Sequence, residues 1–291
     1  MKKYDVLVIG GGPAGLSAGY TLNKNGIKAA VYDKNNHAGG LCRSFDINGY
    51  IFDTFAHVNF SKDPYVMSML EGKTEFIRHS PEAYNYSNGT WIRNPVQNNL
   101  IDLDIEERIK IIKGFIEREH FEPKNYDEWL IKQYGSYFTE NYPAKYTRKY
   151  WTVEPAELET KWVNGRMYTP SIDEVLRGAM SKNTPNVHYS KEMHYPLNGG
   201  YGSFMEPFCK YAGYKPSKEL VRLYIKDSYA VFSDGEEVGF KKLISTAPLD
   251  VIVSSIADIK VPENIIEAVN NLDYTSGAIV SVGLDLSLIH I

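Results

Sequence analysis

The residues that most constrain this chain are Gly10-x-Gly12-x-x-Gly15, set directly behind the apolar run Val6, Leu7, Val8, Ile9. A run that short suits a strand buried on both faces of a parallel sheet. The glycines then mark a tight turn into a helix. Gly10 permits the turn, Gly12 lets backbone approach a pyrophosphate, and Gly15 lets the helix lie close on the strand. The predicted helix runs to Gly26, with Leu16, Ala18 and Leu22 inward and Asn25-Gly26 as its stop. A second short strand, residues 28–32, ends at Asp33. There a carboxylate can accept hydrogen bonds from the ribose hydroxyls of an adenosine, and it disfavours a 2′-phosphate. N–H groups at the helix start would face a pyrophosphate, where the helix dipole favours an anion. The unit predicts a bound dinucleotide, and by itself leaves the choice between NAD and FAD open.

Just past the acid stand Asn36-His37-Ala38-Gly39-Gly40-Leu41-Cys42-Arg43-Ser44. A glycine pair at that place, with a nearby arginine, resembles the second motif of the FAD-dependent amine oxidase and UDP-galactopyranose mutase superfamily. That resemblance points to FAD.

Other features exclude function classes. A net charge of -4 argues against a nucleic-acid footprint. Cys42 and Cys209 are the only cysteines and make no metal or disulfide framework. The seven histidines show no HExxH or paired-ligand spacing, so no metal site is expected. The start does not read as a signal peptide, and no apolar run approaches a membrane span, so stable membrane insertion is not expected and the default location is cytoplasmic. Gly15-Leu16-Ser17-Ala18-Gly19 fits the G-x-S-x-G hydrolase pattern, but it lies inside the first predicted helix, where Ser17 cannot form a strand-to-helix elbow.

Further along, Asn48-Gly49 predicts a hairpin within residues 45–60. Ser61 is expected to cap a helix over residues 61–71 with Pro64 in its first turn. Strands are expected over 75–79, 83–87 and 90–93, the last two joined at Asn88-Gly89. Three helices come next. Asp104 with Glu107 starts one carrying Ile105, Ile109, Ile112 and Ile116 at helical spacing. Asn125 with Glu128 starts the second, and Ser171 with Glu174 the third. Gly199-Gly200-Tyr201-Gly202 then precedes a helix over 204–211. Strands are expected over 229–233 and 242–246, and before them a strand pair that is compressed and hard to place between Lys218 and Ile225. The fold class is α/β. Residues 1–61 and 190–291 are expected to form a discontinuous Rossmann-like FAD-binding domain, a parallel sheet with a β-meander. Residues 62–189 would be an inserted, mainly helical substrate domain with a few strands.

Within the superfamily the likeness becomes more specific. Asn36-His37-x-Gly39-Gly40, Asp53-x-x-x-His57, Asn94-Pro95-Val96-Gln97-Asn98-Asn99-Leu100, residues 121–129, Tyr146-Thr147-Arg148-Lys149-Tyr150-Trp151 and Lys161-Trp162-Val163-Asn164-Gly165-Arg166 resemble motifs of UDP-galactopyranose mutases in order and spacing. Val96 stands where an aromatic is common, and Phe55-Ala56 where glycines precede the histidine.

The resemblance implies a redox-neutral interconversion of UDP-galactopyranose and UDP-galactofuranose, or a related UDP-sugar. In it, N5 of the reduced flavin attacks the anomeric carbon and UDP leaves. It implies a cofactor set of Gly10, Gly12, Ala14, Gly15, Asp33, Lys34, Gly40, Leu41, Arg43, His57 and Val58. His57 would tune the flavin and Arg166 clamp the diphosphate, the two residues assigned to catalysis. Gln97, Asn98, Tyr146, Tyr150 and Trp151 would bind the substrate with Arg166. A homo-oligomer is compatible with this picture. Two rivals stand beside it. One is an FAD-dependent oxidase or desaturase of the amine oxidase or protoporphyrinogen oxidase type, and the other an incomplete chain unable to close its FAD site. Residues 278–282 read as a strand in progress, and Leu286-Ser287-Leu288-Ile289-His290-Ile291 resembles a translated sequencing adapter, so a longer gene with a further FAD-binding segment is expected.

Overall fold

The computed structural model describes residues 1–70, 74–163, 165–187 and 192–284. Its chain divides into two compact units, Met1–Arg78 with His194–Ile291, and His79–Met193. In chain order the first part holds β1 (Lys2–Ile9), α1 (Pro13–Lys24), β2 (Ala29–Tyr32), β3 (Ser44–Ile47), β4 (Tyr50–Asp53), α2 (Pro64–Leu70) and β5 (Phe76–His79). The middle part holds β6 (Tyr84–Ser87), β7 (Thr90–Arg93), α3 (Ile105–Ile116), α4 (Tyr126–Tyr134), α5 (Ser136–Asn141), α6 (Pro143–Trp151) and α7 (Ile172–Met180). The last part holds β8 (Met193–Pro196), α8 (Glu206–Ala212), β9 (Tyr214–Lys215), β10 (Leu220–Tyr224), β11 (Tyr229–Phe232), β12 (Glu237–Ser245), α9 (Leu249–Ser255) and α10 (Glu263–Asn270).

The first unit is built on one sheet of order β10-β11-β12-β1-β2-β9. β1 lies between β12 and β2 and is parallel to both, and β9 extends the parallel side. β10, β11 and β12 form an antiparallel meander. The expected α/β class and the parallel sheet with its meander are therefore present. β1 is buried on both faces because its side chains alternate between two cores. Val6 and Val8 pack with Leu16, Tyr20, Phe204 and Phe208, while Leu7 and Ile9 pack with Tyr32, Leu223, Phe232 and Val238. Each such side chain contributes about 1.5–3 kcal/mol by leaving water. α1 lies close on β2 and α8: a Cβ on Gly19 would come within 2.5 Å of Val31 Cγ2 and 2.7 Å of the Ala212 carbonyl oxygen. Ser17, inside α1, donates to the Ala14 carbonyl at 2.9 Å, as expected of a helix residue and not of a nucleophile.

Several local expectations are corrected. The cap of α2 is Asp63, whose carboxylate accepts from the Tyr65 and Val66 amides; Ser61 instead accepts from the Asp63 amide. The end of that helix, Glu71, lies outside the described residues. α2 and β5 stay with the sheet unit, although the insertion is expected to begin at residue 62. The reason is apolar contact, since Met69, Leu70 and Phe76 pack against the core that holds Val6 and Val8. Residues 278–282 form no strand and have no ladder partner among the described residues. Residues 285–291, and with them the adapter-like hexapeptide, lie outside the described residues.

The second unit packs α3, α4, α5 and α7 around Ile111, Phe115, Leu130, Tyr134, Phe138 and Val175. Its helix starts obey the sequence signals. Asp104 accepts from the Glu107 amide, Asn125 from the Glu128 amide, and Ser171 and Glu174 complete a reciprocal capping box. The buried stripe of α3 differs from expectation. Ile105, Ile109 and Ile116 are exposed, Ile112 packs against the core, and Ile111 and Phe115 are buried in it. Both stripes fit a period of 3.6, and the bulkier Phe115 settles the choice. α5 and α6 carry no sequence start signal of the side-chain type: Gly135 precedes the one and Tyr142-Pro143 opens the other.

Candidate functional site

The glycine turn of the first unit is shaped by close backbone approach. Gly10 adopts φ 104°, and a Cβ there would sit 2.4 Å from Thr246 Oγ1. A Cβ on Gly15 would sit 1.8 Å from the Gly10 carbonyl oxygen, so α1 can begin where it does only with glycine at that position. Gly12 differs: nothing lies within 4 Å of its Cβ position. It precedes α1, which has no side-chain cap and no acidic residue in its first turn. The helix start is therefore open to an anionic group. Gly40 closes one side, its Cβ position 3.2 Å from the Gly12 Cα, and the Gly39 amide donates to the Gly11 carbonyl at 2.8 Å.

Asp33 ends β2 as expected. Its carboxylate accepts from the Gly11 amide at 2.6 Å and the Asn35 amide at 2.7 Å, which fixes it beside the glycine turn. Lys34, Leu41 and Ala14 are exposed nearby in sequence, and Arg43 donates from Nε to Thr54 at 3.4 Å. These features fit a dinucleotide: a gap over Gly12, an uncapped helix start and an oriented carboxylate. Gly10, Gly12, Gly15, Asp33 and Gly40, the residues expected to hold its adenosine and pyrophosphate end, are thus gathered at one turn.

A second node lies in the same unit, and the sequence motif that contains Asp53 assigns that residue no role. Asp53, at the end of β4, accepts from Ser44 Oγ at 2.5 Å, from the Tyr201 amide at 3.0 Å and from the Tyr195 hydroxyl at 2.6 Å. Ser44 Oγ in turn accepts from the Gly202 amide at 2.8 Å. The β3–β4 hairpin is thereby locked onto the glycine loop at 199–202. Burial, and then the bond to Asp53, pushes the Tyr195 phenol up to about 12. His57 and Val58 come next on the same strand exit and are half-buried. His57 Nδ1 lies 2.9 Å from the Phe55 carbonyl, and its ring packs 5.3 Å from that of Tyr201. The only sequence signal for Asp53 is its place four residues before His57.

The remaining expected residues belong to the second unit. Gln97 and Asn98 do not present themselves to a ligand as expected; both are buried. Gln97 donates to the Tyr168 carbonyl at 3.1 Å, and Asn98 Oδ1 finds no partner. The turn that holds them packs under α7, where a Cβ on Gly178 would come within 2.1 Å of the Asn98 carbonyl oxygen. Tyr146, Tyr150 and Trp151 behave differently and leave large areas exposed on α6, at 58%, 55% and 38%. The Tyr146 and Tyr150 rings stack at 5.4 Å, Trp151 stands edge-on to Tyr150, and Trp162 continues the row. Exposed stacked aromatics are a surface that a planar base or a sugar face can cover. Arg166 is exposed just past the left-handed Gly165 (φ 73°); Asn164 of that motif lies outside the described residues. Among the described residues no cluster of three or more metal-ligating side chains occurs, and no helix is long and apolar enough to cross a membrane.

Comparison with known proteins bears on both units. The family of NAD(P)-binding Rossmann-like domains matches residues 8–72. Over 49 residues the chain is 41% identical to a 4,4'-diapophytoene desaturase of Methylomonas sp, which covers 17% of this chain and 10% of that protein. Over 95 residues it is 32% identical to protoporphyrinogen oxidase 2 of Arabidopsis thaliana, covering 31% and 19%. Among solved structures, reduced UDP-galactopyranose mutase superposes with a TM-score of 0.85 at 24% identity, over 93% of this chain and 62% of that one. Putrescine oxidase superposes with a TM-score of 0.59 at 16% identity, over 92% and 63%. The chain thus spans under two thirds of each of these proteins. Residues 8–72 carry an NAD(P)-binding Rossmann-like domain, and the chain's fold is that of the mutase structure and related FAD-dependent flavoenzymes.

Proposed function

We propose that this chain is the FAD-binding and helical part of an isomerase that interconverts the ring forms of a UDP-sugar, with UDP-galactopyranose and UDP-galactofuranose as the first pair to test. The observation that carries this is the fold likeness to the mutase structure, which extends through the helical unit and far exceeds the likeness to an amine oxidase. The exposed aromatic row of α6, with Arg166 beyond it in the chain, supports it from the residues themselves.

Bound and reduced, FAD supplies a nucleophilic nitrogen for chemistry at an anomeric carbon. The chain's own residues bind and orient. The start of α1 with Gly10, Gly12 and Gly40 takes the cofactor pyrophosphate, and Asp33 the adenosine ribose. Leu41, Arg43, His57 and Val58 border its other end, with His57 set by the Phe55 carbonyl and the Tyr201 ring. Tyr146, Tyr150 and Trp151 stack the uracil and sugar, and Arg166 neutralises the diphosphate by charge-assisted hydrogen bonds. Gln97 and Asn98 support the turn beneath α7.

The test is the purified, FAD-loaded protein with UDP-galactofuranose, with and without dithionite, products separated by chromatography. UDP-galactopyranose is expected only with reductant. A second reading, an FAD-dependent oxidoreductase, is favoured by the local identities to a desaturase and an oxidase. Oxygen-dependent turnover of an amine or porphyrinogen, with no conversion of the UDP-sugar, would replace the first reading by the second.

A further inference from the structure

The aromatic face of α6 is held from behind by one side chain. Arg148 Nε donates to both carboxylate oxygens of Glu154, at 3.0 and 2.9 Å. Its Nη1 and Nη2 donate to the two carboxylate oxygens of Glu140, at 2.9 and 3.2 Å. A forked pair to Glu140 and a bifurcated Nε bond to Glu154 engage all three nitrogens of one planar guanidinium, a pattern an ammonium cannot reproduce. Glu140 lies in α5, and Glu154 caps the short 3-10 turn Pro155–Glu157. Arg148 therefore ties three successive elements together.

The tie spans a strained residue. Thr152 ends α6 in the left-handed conformation, φ 60°, immediately after Trp151. A β-branched residue there is disfavoured and persists only where its surroundings enforce it. The Arg148–Glu154 bond closes the loop over Thr152, and Glu140 fixes the other side of the guanidinium. Exposed ion pairs add little to global stability. What this network supplies is direction: the course of the chain as it leaves α6, and with it the setting of Trp151 against Tyr150.

We propose that Arg148 is a positioning residue for a uridine nucleotide on the Tyr146–Tyr150–Trp151 face, acting through its bonds to Glu140 and Glu154 without touching the ligand. This rests on the UDP-sugar reading above. The test is titration of the purified protein with UDP, monitored by tryptophan fluorescence, together with near- and far-UV circular dichroism of the free protein. Wild type binds UDP. Arg148→Met and Arg148→Lys each weaken binding about tenfold, with a changed near-UV spectrum and an unchanged far-UV spectrum. Glu154→Gln weakens it in the same direction, and the double variant Arg148→Met with Glu154→Gln binds no worse than Arg148→Met alone, because the two act as one unit. Should Arg148→Met lose its far-UV signal, Glu154→Gln, which keeps the arginine, carries the same expectation. Equal UDP affinity in wild type, Arg148→Lys and Glu154→Gln overturns the positioning role alone. A wild type without affinity for UDP overturns the UDP-sugar reading and this inference with it.

Discussion

The Asp53 carboxylate accepts the Tyr195 hydroxyl at 2.6 Å, joining the end of the β3–β4 hairpin to the strand that leads into the glycine loop. The same carboxylate accepts from Ser44 and the Tyr201 amide. Removing it leaves three half-buried donors without their acceptor, and the cost of unmade bonds exceeds the net value of made ones. Asp53→Ala is expected to destabilise the protein by about 2–4 kcal/mol, and Tyr195→Phe by about 1 kcal/mol. Urea unfolding monitored by circular dichroism measures both, and equal midpoints for the two variants would contradict the ranking.

Gly12 and Gly15 stand three residues apart in one motif and are expected to fail differently. A methyl at Gly15 collides with the Gly10 carbonyl oxygen, so Gly15→Ala must shift α1 on the sheet, lowering the melting temperature by several degrees. A methyl at Gly12 meets no protein atom within 4 Å and, on the proposed function, would project toward the cofactor pyrophosphate. Gly12→Ala should keep the melting temperature of the cofactor-free protein and lose FAD. Thermal unfolding with and without FAD, beside the flavin absorbance of the purified variants, separates the two.

Much of this was legible from residues alone, for a physical reason. The turn at Gly10–Gly15, Asp33, the Asn48-Gly49 hairpin and the caps at Asp104, Asn125 and Ser171 are local features, in which side chain and backbone a few residues apart decide the outcome. The failures needed long-range information. Which stripe of α3 faces inward depends on what packs against Phe115, and Gln97 and Asn98 look like ligand groups until α7 covers them. The Asp53 node joins residues more than a hundred positions apart in sequence and has no local signature.

Glu236 gives an acid-sensitive contribution whose sign can be worked out. Its side chain is 17% exposed and paired with Lys2 at 2.6 Å and Lys218 at 2.7 Å. The bond from Lys2, then that from Lys218, holds its carboxyl below the ordinary glutamate value of 4.5. The folded state thus favours the deprotonated form. The stability gained is fully present above the unfolded pKa and is lost as the pH falls through the lower folded value. Glu236→Gln should be less stable than wild type at pH 7 by about 1 kcal/mol, discounted because Lys2 is well exposed. The gap should narrow as the pH falls below 4.5 and close once the carboxyl is protonated in the folded state as well. Unfolding midpoints of both proteins across that range test it, and a gap that widens in acid would contradict the assignment.

On the proposed function, Arg166 and Trp151 would make two kinds of contact to a UDP-sugar, and salt distinguishes them. An exposed guanidinium on a diphosphate is a charge interaction and weakens as ionic strength rises, since the screening length falls to about 10 Å at 0.1 M salt. Stacking of uracil on an indole is far less sensitive to salt. Arg166→Ala should raise the dissociation constant for UDP about tenfold at low salt, and the remaining affinity should vary little with salt. Trp151→Ala should lose a comparable factor while keeping the salt dependence of wild type. Calorimetric titrations at two ionic strengths measure both. If Arg166→Ala retains the full salt dependence, the diphosphate is bound elsewhere, and Arg166 is only an exposed arginine beside the Gly165 turn.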